Sequence, residues 1–393
     1  MKYNFINFNT SFVDFNKFIR IRLYDKDFNI KSELDQLNSE LNFILYFSYR
    51  SDFYPIQSED YSWTTDCGWG CMIRASQMML SRAVYKINLN DSIENEEIKE
   101  EYYYEGSRKL KVCYNTLLLF IETKEENTLN GCIQQPFFSI ANICKEGLSF
   151  GKRAGDWFSD VNMVNIFCRI NKDTQLIQNT EILTFNDNLI EEEEILKTCF
   201  KEHLCKCIEN NIKCDCLKIK DKSYKLIKKA IIFVSCRVGL DNIDPQYFIP
   251  ITRLFSIKNN IGLIGGKGHY ALYFIGVTDD HHLIYLDPHY KQTSITNIND
   301  LCLPDAQQTF LKKKFYFLDF KNASPAFTFG VYFNSVTEFK QIQYSLKLYS
   351  KIENAIFKYK GLDKMDVIPE EIDIEEKMEF NCEEVDDFCV ISK

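Results

Sequence analysis

The chain has 393 residues, of which 45% are hydrophobic and 15% aromatic, enough for one large core or two ordinary ones. Its formal net charge of −9 argues against nucleic acid as the main partner, because phosphate backbones attract basic surfaces. No apolar run approaches the roughly 18 residues of a membrane span, and residues 1–3 begin no secretory signal. The fifteen cysteines follow no regular framework, so we interpret them as reduced thiols and expect a cytoplasmic location.

The first half of the chain is predicted to be mainly helical. Residues 1–31 alternate aromatic with polar side chains and are expected to form an arm or a loose first helix. Residues 32–360 are expected to form the main domain, which begins with a helix and then a strand over residues 32–49. Two charged stretches, at about residues 88–111 and 171–229, are interpreted as insertions into this domain.

The stretch TTDCGWGCMIRASQMML, residues 64–80, places a cysteine where two glycines give way to a helix. One face of that helix repeats at i, i+3, i+4 and i+7 and carries Ile73, Ser76, Gln77 and Leu80. Cys71 is therefore predicted in the first turn of a helix that ends at about Tyr85. The unpaired amides and the dipole of a helix N-terminus stabilise an anion, so a thiol there can become a thiolate if an imidazolium lies nearby. A buried structural cysteine is the alternative, and the choice depends on a base elsewhere.

The second half changes to short runs rich in β-branched and aromatic residues, which predict strands. These runs are AIIFVSCRVGL, HYALYFIGV, HLIYLDPH and KKFYFLDF, at residues 230–240, 269–277, 282–289 and 313–320. The turn at residues 278–281 is expected to join the second and third runs as an antiparallel hairpin.

The candidate base is His289, one of five histidines, at the end of an apolar strand. Asp287 lies two residues earlier and can share its side of an extended chain, while Pro288 stiffens the link. An imidazole beside a carboxylate is the base-and-orienter half of a catalytic triad. Taken alone, the same residues could simply be a turn that closes the strand. His269, after a glycine-rich segment, is the reserve candidate.

Several motifs together resemble those of the autophagins, the cysteine proteases of autophagy: DCGWGCMIR, IGLIGGK, YFIGV and IYLDPH, within roughly residues 41–333. The resemblance implies an α+β, papain-like fold, with the cysteine on a helical half and the aspartate and histidine on an antiparallel sheet. It implies a monomeric protease without a cofactor, which cleaves the precursor of a ubiquitin-like autophagy modifier after a C-terminal glycine. It also implies release of the modifier from phosphatidylethanolamine, as autophagosome formation requires, with membrane contact only through the substrate.

The resemblance also assigns candidate catalytic residues. Cys71 corresponds to the family's nucleophile, Asp287 to its orienting carboxylate and His289 to its general base. Tyr49, in YFSYR, corresponds to the tyrosine that helps the Cys71 amide to bind the oxyanion.

Access to the site is assigned in the same way. Trp157, in GDWFSD, corresponds to the tryptophan that covers the cysteine in the resting state. Gly265 and Gly266, in IGLIGGKG, correspond to a loop that lifts with it when substrate enters. One departure is Leu272, where the family usually has histidine before YFIG.

Two other hypotheses remain open at this stage. Peptidases of the ubiquitin-fold modifier also carry WGC and LDPHY patterns, and LDPHY is present here, although CMIR and GGK followed by YFIG favour the autophagins. A catalytically inactive modifier-binding module is the third possibility.

Two further stretches carry expectations. The cysteine-rich residues 199–216 could bind zinc or be an ordinary insertion, and their spacing departs from the usual zinc patterns. Residues 361–393 are acidic and expected to be a flexible tail. Its end, EEVDDFCVI, predicts a short modifier-interacting motif in which Phe388 and Ile391 fill two pockets as the tail adds a strand to the modifier's sheet.

Overall fold

The computed structural model describes residues 15, 18–59, 61–94, 105–123, 127–129, 132–134, 136–175, 177, 179–205, 216–219, 222–311 and 313–362. The tail motif with Phe388 and Ile391 lies outside these residues. Within them the helices are α1 (Ile30–Asn42), α2 (Cys71–Glu94), α3 (Glu105–Leu117), α4 (Ile140–Gly147), α5 (Asp160–Thr174), α6 (Glu192–Cys199), α7 (Phe248–Leu254), α8 (Pro304–Leu311) and α9 (Val336–Tyr349). None of these described helices combines the length and the apolar character needed to cross a bilayer.

The strands of the described residues form one large sheet and several small ones. They are β1 (Arg20–Leu23), β2 (Lys26–Asn29), β3 (Arg50–Ser58), β4 (Tyr61–Thr65), β5 (Asn127–Leu129), β6 (Cys132–Gln134), β7 (Thr180–Phe185), β8 (Leu189–Glu191), β9 (Phe200–His203), β10 (Leu217–Ile219), β11 (Lys222–Leu226), β12 (Lys229–Arg237), β13 (Asn260–Lys267), β14 (Tyr270–Thr278), β15 (His282–Leu286), β16 (Gln292–Thr293), β17 (Tyr316–Asp319), β18 (Ala326–Phe333) and β19 (Lys358–Lys360). The large sheet has the order β17-β15-β14-β13-β18-β12-β7, and β1 also pairs with β14. The chain is therefore a mixed α+β protein, and the expected hairpin between β14 and β15 is confirmed.

Both faces of the large sheet are covered by helices. Along β12, Ile231 and Phe233 belong to one core with residues of α2 and α5, while Ile232 and Val234 belong to a second core with residues of α7 and α9. A strand buried on both faces has no polar side to show, which explains the nearly continuous apolar run in its sequence.

The helix that begins at Cys71 packs against β13 and β14. Its first four turns are buried except at Met72, and it continues to Glu94, beyond the predicted end at Tyr85. No glycine or proline occurs between Cys71 and Glu94, so nothing in the backbone ends the helix earlier. The charged stretch 88–111 is helical at both ends, because α3 begins at Glu105.

The N-terminal region differs from the expected arm or loose helix. Arg20–Leu23 and Lys26–Asn29 form a hairpin whose first strand pairs with β14, and Ile21 and Leu23 are buried. A Cβ at Gly276 would overlap the carbonyl oxygen of Arg22, so this glycine permits the close approach of the two strands. The alternation in RIRL was too short a signal to indicate a strand in the sequence.

The stretch 171–229 also differs from the expected surface insertion. Its strand β7 pairs in parallel with β12 in the large sheet, and Ile182, Leu183 and Phe185 are buried. Even the acidic run contributes to the interior, since Glu192 is fully buried and accepts hydrogen bonds from the Tyr359 hydroxyl (3.0 Å) and the backbone N–H of Leu362 (2.6 Å). Local charge suggested a solvated segment, but these partners lie far along the chain.

The glycine-rich segment is a strand rather than the expected loop. Gly265 pairs with Leu272 and Gly266 with Ala271 across β13 and β14, and the hairpin turn follows at residues 268–269. A Cβ at Gly266 would come within 2.8 Å of the Tyr270 carbonyl oxygen. The glycine is thus required by close strand pairing.

Candidate active site

The start of α2 is held against Asp66. The backbone oxygen of Asp66 accepts hydrogen bonds from the amides of Trp69 (3.2 Å) and Gly70 (2.9 Å). A Cβ at Gly70 would come within 2.6 Å of the Asp66 carboxylate, so only glycine fits there. Cys71 follows as the first residue of the helix, the position that the sequence predicts for it. The residue is 8% exposed.

Asp287 and His289 form a pair directly after β15. The Oδ1 atom of Asp287 lies 2.5 Å from Nδ1 of His289 and accepts the backbone N–H of His289 at 3.0 Å. The Tyr46 hydroxyl donates to the Asp287 carbonyl oxygen at 2.6 Å and so holds the backbone of this segment in place. The carboxylate therefore sets the ring orientation and leaves Nε2 for other partners.

Tyr49 is aligned with this pair by the backbone. Its N–H donates to the Pro288 carbonyl oxygen at 2.9 Å, and its carbonyl oxygen accepts the N–H of Gln292 at 2.9 Å. The rings of Tyr49 and His289 meet edge to face, with centroids 5.4 Å apart. Tyr49 is buried in a small cluster with Cys71 and Ala271, so the candidate nucleophile, base and oxyanion residue lie together.

The electrostatics favour a thiolate–imidazolium pair. Burial alone would raise the pKa of the Cys71 thiol, but hydrogen bonds from His289, the Ala271 backbone and the Tyr49 side chain lower it. Burial alone would lower the pKa of His289, but its bonds to Asp287 and Cys71 raise it to about 9. Burial and the nearby Cys71 charge raise the pKa of Tyr49, so its hydroxyl stays a neutral donor. Such an arrangement can carry out nucleophilic attack and proton transfer at one carbonyl.

Trp157 lies at the rim of this site. Its Nε1 donates to the Gly68 carbonyl oxygen at 3.0 Å, and its ring lies 5.6 Å from that of His269 in the β13–β14 turn. The indole is 54% exposed, and Gly265 and Gly266 lie further back within β13.

Sequence reasoning missed a buried ionic network next to the site. Arg74 lies one turn after Cys71 and contacts Asp66 through Nε (2.6 Å) and Glu122 through Nη1 (3.2 Å). The second oxygen of Asp66 accepts the backbone N–H of Arg50 at 2.6 Å, which ties β3 to the start of α2. An arginine one turn into a helix predicted to be buried was the available signal, although nothing in the sequence pointed to Glu122.

A second residue missed by sequence reasoning is Tyr270, whose ring centroid lies 5.0 Å from that of His289. It is the first residue of β14 and is 62% exposed. His289 is therefore flanked by two tyrosine rings, one buried and one at the surface.

The other histidines occupy different surroundings. His282 contacts Asp280 in the β14–β15 turn, and His203 Nε2 lies 2.9 Å from the Cys216 sulfur. Among the residues that the structure describes, no group of three or more histidine, cysteine or acidic side chains could hold a metal ion. Cys207 and Cys214 of the cysteine-rich stretch are outside those residues.

Comparison with known families decides between the hypotheses left open by the sequence. A family model described as the peptidase C54 catalytic domain matches residues 34–345. The chain belongs to this family. Like its relatives, this C54 chain is a cysteine peptidase of the autophagy type, and the resemblance to the autophagins is confirmed.

Individual relatives of the C54 chain extend the match. It is 23% identical over 388 residues to cysteine protease ATG4B of Gallus gallus, which covers 93% of this chain and 92% of that protein. It is 30% identical over 275 residues to cysteine protease ATG4A of Homo sapiens, covering 68% and 63% respectively. With cysteine protease ATG4C of Xenopus laevis it shares 24% identity over 351 residues, or 81% and 71% of the two chains.

The shifted pKa values predict the pH dependence of this C54 peptidase. Because the pKa of His289 is raised to about 9, we expect activity to persist through neutral pH and to fall as pH rises through about 9, when the imidazolium loses its proton. The stability that the protein gains from the partners of His289 depends on pH in the same direction. This contribution is fully present below the ordinary histidine pKa and is lost as pH rises through about 9. Initial cleavage rates across pH measure the first effect.

The variant Asp287→Asn tests whether Asp287 causes this fall in activity at high pH, here called the alkaline limb. The Asp287 hydrogen bond is the strongest influence raising the His289 pKa, so its loss should move the alkaline limb to lower pH. Alkylation of Cys71 by iodoacetamide reports the thiolate that His289 stabilises, so in Asp287→Asn it should require a higher pH than in wild type, with Cys71→Ala as the blank for other thiols. An alkaline limb unmoved in Asp287→Asn would contradict the assignment.

Proposed function

We propose that this cysteine peptidase cleaves the precursor of a ubiquitin-like autophagy modifier after a glycine and releases the same modifier from phosphatidylethanolamine, two steps that autophagosome formation requires. The observation that carries the proposal is the chain of contacts from Asp287 to His289 to the Cys71 thiol at the start of α2, in a chain of the C54 family. In this proposal Cys71 is the nucleophile, His289 the general base and acid, and Asp287 the residue that fixes its tautomer.

The two reactions share one chemistry. The Cys71 thiolate attacks the glycine carbonyl carbon, and His289 protonates the leaving nitrogen as the amide bond breaks and a thioester forms. Water then attacks the thioester, His289 accepts its proton, and the modifier leaves with a free carboxylate. The leaving amine is the next residue in the precursor and the ethanolamine head group in the lipid conjugate, so one site serves both.

Stabilisation of the oxyanion falls to Tyr49 and the Cys71 amide in this proposal. The amide lies at the N-terminus of α2, where backbone N–H groups have no helical partner. The raised pKa of Tyr49 keeps its hydroxyl protonated, so it can donate as negative charge develops on the carbonyl oxygen.

We assign substrate selectivity to Trp157 and the turn after Gly265 and Gly266. Trp157 spans from Gly68, three residues before Cys71, to His269 in that turn. A modifier tail must pass beneath the indole to reach Cys71, and a terminal glycine offers the narrowest possible chain. The turn and the indole would therefore move together when substrate enters.

The function is tested by the mass of a purified modifier precursor before and after incubation with the protein. We expect a loss equal to the residues that follow the glycine, and release of the modifier from liposomes that carry its phosphatidylethanolamine conjugate. The precursor of the ubiquitin-fold modifier is the matched control and should keep its mass. Cleavage of that control, with the autophagy modifier intact, would contradict the proposal.

The acidic tail enters the same experiment. We propose that Phe388 and Ile391 tether the enzyme to membrane-bound modifier, which raises the effective concentration of substrate near Cys71. A variant that lacks residues 380–393 should then release lipid-bound modifier more slowly while it cleaves the soluble precursor at nearly the normal rate. If the truncated variant matched the wild-type rate on both substrates, the tail would not have the tethering role proposed here.

A further inference from the structure

The loop that carries Trp157 contacts the rest of the protein at several places, and Ala154 within it is buried in the core that includes residues of α2 and α5. Residues 151–157, here called the cover loop, connect α4 and its following turn to α5. Trp157 donates to the Gly68 carbonyl oxygen (3.0 Å), and Arg153 contacts Glu59 (2.6 Å). A further contact is made by Gly155, which lies against the side chain of Trp63 in the β3–β4 hairpin.

Gly155 allows the loop backbone to lie directly on the Trp63 indole. A Cβ at this position would come within 2.5 Å of Trp63 Cζ2 and 2.7 Å of Cε2, closer than any carbon contact tolerates. Its φ of +96° is in the region that favours glycine over other residues. Both the contact and the backbone conformation therefore require glycine at this point.

Trp63 belongs to a row of three aromatic rings, in tilted and edge-to-face contact, that leads back towards the candidate nucleophile. Its ring lies 4.4 Å from that of Tyr61 and 5.6 Å from that of Trp69. Trp69 is 3% exposed and donates from Nε1 to the Thr65 carbonyl oxygen at 3.0 Å. The surface under the cover loop is thus connected, through Trp63 and Trp69, to the segment that positions Cys71.

The contacts made by Arg153, Trp157 and Gly155 differ in strength. Arg153 and Glu59 have half-exposed side chains, and ion pairs of this kind contribute little because water screens them. The Trp157 bond to Gly68 is a single hydrogen bond at an exposed indole. The Gly155 contact with Trp63 covers apolar ring surface, which is the kind of contact that holds a loop in water.

We propose that Trp63 is a positioning residue that fixes the resting place of Trp157 by holding the cover loop at Gly155, and that it thereby determines selectivity for glycine before the scissile bond. This inference rests on the covering role proposed for Trp157. A bulkier residue needs a wider opening of the loop than glycine does. Loosening the Gly155 contact therefore reduces the penalty against bulkier residues more than it helps glycine.

The test compares four variants: Trp63→Ala, Gly155→Ala, Trp63→Phe and Tyr54→Ala. Trp63→Ala removes the ring and Gly155→Ala displaces the loop from it, so the contact is broken from either side. Trp63→Phe keeps an aromatic face, and Tyr54, 57% exposed on the same hairpin, is the control. Each variant is measured by amide hydrogen exchange of residues 151–158 and by its cleavage rates on two modifier precursors, with glycine or alanine before the scissile bond.

We expect exchange in the cover loop to be about tenfold faster in Trp63→Ala and Gly155→Ala, which corresponds to a change of about 1.4 kcal/mol in the free energy of opening the loop. The ratio of glycine to alanine cleavage should fall in the same two variants, while Trp63→Phe and Tyr54→Ala stay near wild type. Unchanged exchange in both Trp63→Ala and Gly155→Ala would overturn the inference, because exchange reports the loop without requiring catalysis. Faster amide exchange with an unchanged ratio of glycine to alanine cleavage would instead show that Trp63 holds the loop but that the loop does not set selectivity. That result would overturn the covering role of Trp157.

Discussion

Cys71→Ala is expected to abolish cleavage of the modifier precursor while the protein still binds it. The substitution removes the nucleophilic sulfur from a site in which the other groups remain, so we expect a rate loss of about 10⁴-fold or more. His289→Ala should be as severe, because an un-ionised thiol is a poor nucleophile. Cleavage is followed by the mass of the precursor and binding by co-elution of the two proteins.

Two comparisons sharpen that result. Residues that act as one unit are not additive, so Cys71→Ala combined with His289→Ala should be no slower than either single variant. His269→Ala should cleave at close to the normal rate, since His269 faces Trp157 rather than Cys71. Activity that persists in Cys71→Ala, or that disappears in His269→Ala, would contradict the assignment of Cys71 as nucleophile and His289 as base.

Arg74→Met is expected to have the largest effect on stability among single substitutions near the site. Burial alone would lower the pKa of Arg74, but the carboxylates of Asp66 and Glu122 raise it, so the guanidinium stays charged between them. Removal of the arginine leaves two buried carboxyl groups without the side chain that pairs with both of them, and breaking a buried pair in this way typically costs about 3–5 kcal/mol in the free energy of unfolding. Chemical denaturation measures the loss.

Matched variants separate burial from charge. Arg169→Ala removes a half-exposed partner of Glu146 and should change the free energy of unfolding by no more than about 0.5 kcal/mol. Arg74→Lys keeps the charge but lacks the two-armed geometry that reaches Asp66 and Glu122 together, so its loss should be intermediate. If Arg74→Met unfolded at the same denaturant concentration as Arg169→Ala, the network would not have the stabilising part assigned to it.

Local patterns in the sequence were sufficient for the parts of the molecule that depend on near neighbours. The helix that begins at Cys71 and the strands β12, β14, β15 and β17 were predicted because periodicity and turn residues report local backbone preference, whereas β13 was expected to be a loop and β18 was not predicted. The contact between Asp287 and His289 was accessible for the same reason, since the two residues are separated only by Pro288. Several motifs in the same order then identified the family.

Tertiary structure alone decided which of these local elements meet and which charges are buried. The strand β7 lies inside a stretch whose charge suggested solvent, yet pairing with β12 places it in the large sheet. Arg74 is stable inside the protein only because Asp66 and Glu122, from two other segments, surround it. The free energy of burying an apolar face or a charge depends on partners distant in sequence, whereas periodicity describes only neighbours. The amino-acid sequence by itself therefore determined the candidate catalytic groups, and packing of the helix against the sheet determined that they meet.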